Sequence, residues 1–225
     1  MENITIACIF DLDGVLVDTA VYHYQAWKKL ANSLGFDFSH AQNEQLKGVN
    51  RMRSLDKILD WGGISKTDAE KEELAALKNT WYVDMISRMS PDEVLPGTLD
   101  LLQTLHDHGI KMALGSASKN SGLILERTNL AHYFDAIVDG NSVSSSKPDP
   151  EVFLKGAELL ETPAINCIVF EDAAAGVEAA IAAKMAVVGI GQKENLPGAD
   201  LIKKDLSEVS VEELISLVST QTSKN

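Results

Sequence analysis

Positive charge, cysteine and long apolar runs are all scarce in this sequence, and each shortage narrows what the chain can be. Twenty Lys and Arg stand against 33 Asp and Glu in 225 residues, a formal net charge of -13. That balance excludes the broad basic surface that nucleic acid or an anionic membrane requires, so any phosphate must be gripped by a few local cations. No window approaches the roughly 18 apolar residues of a membrane span, and the opening MENITIACIF lacks the basic start and small-residue cleavage site of a secretory leader. A cytoplasmic protein with no nucleic-acid and no membrane partner is expected. The two cysteines, Cys8 and Cys167, lie inside apolar runs and have neither disulfide-framework nor zinc-site spacing. They read as small, reduced core residues. No excess apolar stripe offers itself to a second copy, which favours a monomer.

What is present is an alternation. Short β-branched runs recur: IACIF before Asp11, KMALGS ending at Ser116, AIVD ending at Asp139, NCIVFED ending at Asp172, and AVVGIG ending at Gly191. Helical patterns lie between them, the signature of a parallel sheet with crossover helices. Leu99, Leu102 and Leu105 recur at helical spacing before Gly109, and Val152, Phe153, Gly156, Ala157 and Leu160 supply another apolar face. Ser210 with Glu213 is a capping-box signal for a last helix through Val218, with TQTSKN as a frayed tail. Between Asp18 and Val94 the alternation stops. Only helical stretches are found there: AVYHYQAWKKLANSLG, the piece from Ser39 to Lys47, RSLDKILDWGG, and the run from Thr67 to Met89. The expected architecture is α/β, a Rossmann-like parallel-sheet core of residues 1–17 and 95–225 with a helical cap of residues 18–94 inserted. The cap would sit over the mouth of the sheet on tethers near Val17 and near Pro96-Gly97.

Ligands of an open α/β sheet bind beyond the carboxyl ends of its strands, and the residues there are mostly charged or polar. The first strand ends in Asp11 and Asp13, the second in Ser116, Ala117 and Ser118, the loop after the third carries Lys147, and the fourth ends in Glu171 and Asp172. Two-residue periodicity turns Asp11 and Asp13 to one side and Leu12 away. Four acids around one small space require a cation, because like charges a few ångströms apart oppose ionisation. Mg2+ suits a few carboxylates completed by water and phosphate. One carboxylate can then attack phosphorus while its neighbour moves a proton. Gly14 lets the backbone turn tightly beside the phosphate.

DLDGV at Asp11 to Val15, GSAS around Ser116, Lys147-Pro148 and Glu171-Asp172, in that order and with a helical insert after the first, resemble the four motifs of the haloacid dehalogenase-like phosphotransferase superfamily. The resemblance covers essentially the whole chain. It implies Asp11 as nucleophile and Mg2+ ligand, and Asp13 as general acid/base that also binds metal through its backbone carbonyl. Asp172 would complete the protein ligands, with Glu171 either a ligand or a partner behind them. Ser116 and the Ala117 amide would hold the transferring phosphoryl oxygens, and Lys147 would neutralise charge on them. Asp at position 13 points to phosphatases and phosphomutases within the superfamily.

The cap stretches YHYQAW, LKGVNR and LKN, with SASKN in the core, resemble the sugar phosphomutases of the superfamily. That implies interconversion of β-D-glucose 1-phosphate and β-D-glucose 6-phosphate through β-glucose 1,6-bisphosphate, with small-molecule sugar phosphates as partners. A second phosphate site would comprise Arg51 with Ser118, Lys119 and Asn120, since the planar guanidinium can meet phosphate bidentately. His23, just past Thr19, would help position Asp13 and the hinge, although among Tyr22, Tyr24 and Trp27 it also reads as a half-buried packing residue. Lys47, Gly48 and Lys78 would line the sugar from the cap, although both lysines also read as solvated charges; Trp27 reads first as core or cap packing and second as a residue beside the sugar. Related segments commonly read Gly-Val-Ser-Arg where this chain has Gly48-Val49-Asn50-Arg51, so Asn50 replaces a hydroxyl. The alternatives are a Mg2+-dependent hexose-phosphate phosphatase on the same core and a non-catalytic sugar-phosphate-binding regulator.

Overall fold

The computed structural model describes residues 5–222. The first four residues of the chain and the last three of the expected tail lie outside the described residues.

Six strands, β1 (Ala7–Phe10), β2 (Lys111–Gly115), β3 (Ala136–Val138), β4 (Cys167–Glu171), β5 (Ala186–Ile190) and β6 (Leu201–Lys203), form one sheet in the order β3-β2-β1-β4-β5-β6. All pairs are parallel. The first five strands are the expected ones. The sixth escapes sequence reading because Leu201–Lys203 is half-buried and runs into a second lysine, without the apolar β-branched run that marks even the equally short β3.

The central strands are apolar on both faces, as a sheet covered on both sides demands. Cys8, Phe10, Met112, Leu114, Ile168 and Phe170 share one buried cluster with residues of α5 (Thr98–Asp107), α6 (Ser121–Arg127) and α9 (Val211–Thr222). Ala7, Ile9, Ala113, Val169 and Val187 share another with α7 (Glu151–Leu159) and α8 (Ala174–Ala182). Cys8 belongs to the first cluster and Cys167 to the second, and both thiols are free and buried. Burial pushes the Cys167 thiol up to about 12, which keeps it protonated and unreactive.

Two helical details depart from expectation. Leu99 is exposed, and the buried face of α5 is Leu101, Leu102 and Leu105; counting in threes from Leu105 drifts off a 3.6-residue stripe. The last helix continues past Val218 to Thr222, so the first part of TQTSKN is helical. There the hydroxyls of Ser219 and Thr220 donate to the carbonyls of Ile215 and Ser216 four residues back, which occupies them inside the helix. The capping box of Ser210 and Glu213 forms as expected.

Between β1 and β2 lie α1 (Ala20–Ser33), α2 (His40–Glu44), α3 (Arg51–Trp61) and α4 (Asp68–Ile86). They bury a core of their own around Trp27, Leu30, Phe38, Leu55 and Ile58. Side chains start these helices: Ser39 and Thr67 form capping boxes with Gln42 and Glu70, and Asn50 accepts from the Arg53 N–H. The chain enters and leaves this helical insertion at one place. Val17 bridges Val94 in antiparallel fashion, and the Leu95 N–H donates to the Leu16 carbonyl at 2.9 Å. Gly97 follows at φ +80°, where an added Cβ would lie 2.0 Å from the backbone nitrogen of Ser207.

Candidate active site

The strand order places a switch point between β1 and β4, whose following loops run to opposite sides and leave a crevice between them. Asp11 sits one residue past β1, with its N–H donating to the Phe170 carbonyl at 2.9 Å. The strand thus ends before the two acids, yet the expected alternation holds. Asp11 and Asp13 both line the crevice, while Leu12 is fully buried. Gly14 has φ +87°, and a Cβ there would fall 2.1 Å from a carboxylate oxygen of Asp172. Only glycine allows the β1 loop to come this close to the β4 acid.

Beneath the acids lies Lys147, 2% exposed, with Nζ 2.5 Å from Asp11 and 2.7 Å from Glu171. Burial alone would lower its pKa, but the charges of Asp11 and Glu171 outweigh that and raise it, so the side chain is a fixed cation. The other Glu171 oxygen accepts the N–H groups of Asp172 and Ala173, each at 3.1 Å. One carboxylate oxygen each from Asp11, Glu171 and Asp172 lie within 4.8 Å of one another. This compact, all-oxygen donor set fits Mg2+. Asp172 is pushed up to about 6, first by burial and then by the charge of Asp11, against the pull of Lys47 at 3.4 Å.

Asp13 stands apart from that trio. The Thr19 hydroxyl donates to its carboxylate, and burial, followed by the Asp11 charge, pushes its pKa up to about 7. It can therefore give and take a proton near neutrality, while Asp11 is paired with a lysine, an arrangement suited to acid catalysis beside a nucleophile. His23 is not on Asp13, contrary to expectation. Its Nδ1 lies 3.0 Å from Lys78 Nζ, because the α1 turn presents Thr19 to the acid and His23 to α4.

Above the acids a cavity of about 470 Å³ lies between the sheet and the helical insertion. Thr19, His23, Trp27, Lys47, Gly48, Arg51 and Lys78 reach it from the insertion side, and Ala117, Ser118, Lys119 and Asn120 from the sheet side. Ser116 does not line it. It is buried, and its hydroxyl accepts the Ser118 N–H at 3.1 Å, bracing the turn that presents Ala117. Lys78 is 2% exposed, with Nζ 4.5 Å from the ring centres of both Trp27 and Tyr82, so it is no solvated lysine. Among the described residues nothing accepts a hydrogen bond from the Arg51 guanidinium, which lines the same cavity.

Tyr82 and Asn79, not singled out in the sequence, also line the cavity, and Asn120 donates to the Asn79 side chain at 3.0 Å. Asn79 lies within the LKN stretch, and Tyr82 is four residues from Lys78 on α4 and shares its face.

A haloacid dehalogenase-like hydrolase model matches residues 7–184. The chain belongs to that family. Among its relatives, the beta-phosphoglucomutase of Bacillus subtilis is 43% identical over 208 residues, 92% of each chain. The fructose-1-phosphate phosphatase of Escherichia coli is 31% identical over 81% of this chain and 94% of its own. A crystal structure of beta-phosphoglucomutase from Clostridium difficile superposes with a TM-score of 0.93 at 40% identity, covering 97% of this chain and 99% of that one. The family's sheet and the inserted helices are therefore matched together. Among the described residues no helix is long and apolar enough to cross a membrane.

Proposed function

We propose that the protein is a phosphomutase interconverting β-D-glucose 1-phosphate and β-D-glucose 6-phosphate through β-glucose 1,6-bisphosphate. What supports the reading is that one cavity is lined both by the acids Asp11, Asp13 and Asp172 and by Arg51, Ser118, Lys119 and Asn120, which this reading takes as its two poles. A bisphosphorylated sugar needs both, one for the phosphate that reacts and one for the phosphate that does not. The B. subtilis and C. difficile relatives support the choice of hexose.

In this reading an Asp11 oxygen attacks phosphorus, the bond from phosphorus to the sugar oxygen breaks, and Asp13 gives its proton to that oxygen. In the return step Asp13 takes the proton from the other sugar hydroxyl as that oxygen attacks the aspartyl phosphate, and Asp11 is regenerated. Mg2+, held by Asp11, Asp172 and the Asp13 carbonyl, would lessen the negative charge on the phosphoryl oxygens. Lys147 neutralises Asp11 from below, and Glu171, which accepts from Lys147 and two amides, orients that lysine. The Ala117 N–H and Ser116 shape the phosphoryl cradle. Residues 18–94 act as a cap whose closure keeps water from the phosphorylated Asp11.

The test mixes the protein with Mg2+, β-glucose 1-phosphate and a trace of β-glucose 1,6-bisphosphate, then follows glucose 6-phosphate and inorganic phosphate together. Glucose 6-phosphate without matching phosphate is expected. Inorganic phosphate as the main product would replace this reading with the phosphatase that the E. coli relative exemplifies.

A further inference from the structure

Asn50 makes two hydrogen bonds with one side chain. Its Oδ1 accepts the Arg53 N–H at 2.9 Å and so caps α3, and its Nδ2 donates to the Ser146 hydroxyl at 3.0 Å, 96 residues away on the sheet side of the cavity. The first bond fixes the amide plane, which aims the second. Ser146 immediately precedes Lys147, the cation seated on Asp11 and Glu171. Arg51 immediately follows Asn50 and lines the cavity. Asn50 therefore joins the backbone that carries the distal cation to the backbone that carries the cation beneath the nucleophile.

We propose that Asn50 is a positioning residue, a clasp that holds the helical insertion shut against the Lys147 loop. The proposal rests on the phosphomutase reading for its consequence and on the two hydrogen bonds for its geometry. While the clasp is made, the Gly48 backbone lies beside the loop after β4, where an added Cβ would be 3.5 Å from the Ala173 side chain, and Lys47 reaches Asp172 at 3.4 Å. Opening the clasp loosens both contacts. Closure is then read out as the choice between sugar and water as acceptor for the phosphoryl group on Asp11. A single hydrogen bond of this kind sets the ratio of closed to open forms by about threefold to tenfold.

Asn50→Ser separates the two duties. Serine caps a helix as well as asparagine does, but its hydroxyl sits one bond closer to the backbone than the asparagine amide nitrogen and, while it accepts the Arg53 N–H, falls short of Ser146. Ser146→Ala removes the other half and leaves the α3 cap untouched, so it serves even if the first variant folds poorly. Each variant is expected to release about threefold to tenfold more inorganic phosphate per glucose 6-phosphate formed, and the double variant no more than either alone. Hydrogen–deuterium exchange of residues 45–53 and 143–149 supplies a readout independent of the reaction, with faster exchange expected in both segments of both variants. If wild type releases mainly phosphate, the phosphomutase reading fails, and the exchange comparison still decides the clasp. Wild-type protection of both segments in Ser146→Ala would overturn the proposal, as would additive effects in the double variant.

Discussion

Lys78 Nζ lies 3.0 Å from Nδ1 of His23, between the rings of Trp27 and Tyr82, so a potential cation is stored where water hardly reaches. Burial, then the nearby Arg51 charge, brings the Lys78 pKa down to about 7, with Asp13 pulling the other way. Burial, then Lys78 and Arg51, holds His23 well below its usual value. Between about pH 7 and the ordinary lysine value the unfolded chain binds the proton that the folded chain has given up, so this lysine's contribution to stability rises with pH and is lost on acidification. Lys78→Met should therefore be more stable than wild type near pH 6, by an upper bound of about 5 kcal/mol, and the gap should narrow towards pH 10. Melting curves across that range check it; a gap independent of pH would contradict the neutral lysine.

Asp11→Asn should lower kcat by at least about a thousandfold, because an amide cannot form the phosphoryl ester. Lys147 keeps Glu171 as a partner, so the melting temperature should change little. Activity within tenfold of wild type would remove Asp11 as nucleophile.

Arg51→Ala should act at the other pole. Loss of a charge-assisted contact of about 3 kcal/mol should raise the bisphosphate concentration for half-maximal rate on the order of a hundredfold. Helix α3 keeps its Asn50 cap, so circular dichroism should be unchanged. An unaltered bisphosphate response would move the distal phosphate elsewhere in the cavity.

Mg2+ at about a hundred times its dissociation constant should stabilise the native protein by about 2.7 kcal/mol, or about 5 to 10 °C for a chain of this size. Asp172→Asn should lose most of that rise while melting in the absence of Mg2+ no lower than wild type, since a like charge beside Asp11 has gone. Equal Mg2+ shifts in both proteins would place the ion away from Asp172.

Gly97→Ala should cost about 2 to 4 kcal/mol, since it combines a positive φ with a Cβ 2.0 Å from the Ser207 nitrogen. A lower urea midpoint with an unchanged slope is the expected signature.

The chemistry was legible where it depends on strand ends. Asp11, Asp13 and Asp172 stand at the ends of apolar runs and Lys147 lies in the loop after β3, and a parallel sheet gathers such residues at one edge whatever the surrounding packing. His23 was legible as a cavity residue but not by partner, because a helix turn decides whether Thr19 or His23 meets Asp13, and that turn is set by tertiary contact. Lys78 could not be told from a solvated lysine by spacing alone; its burial depends on Trp27 and Tyr82 closing on it from two helices. Asn50 showed itself only as a departure from the usual Gly-Val-Ser-Arg, since the group it touches is 96 residues distant. Leu99 and β6 were misread or missed for a local reason: Leu99 lies one residue off the buried stripe, and β6 is a half-buried edge strand ending in lysine with no apolar run to mark it.

The bridge between Val17 and Val94 and the Leu95 to Leu16 hydrogen bond make the entry and exit of the helical insertion a single two-ply strap. Such a strap bends readily across its width but resists sliding and twisting, which leaves the insertion close to one mechanical degree of freedom. Under the proposed closure Arg51, Asn50 and Lys47 travel together on one arc toward Asp172 and Ser146. The strap sets that arc, and the Asn50 to Ser146 hydrogen bond fixes where it ends.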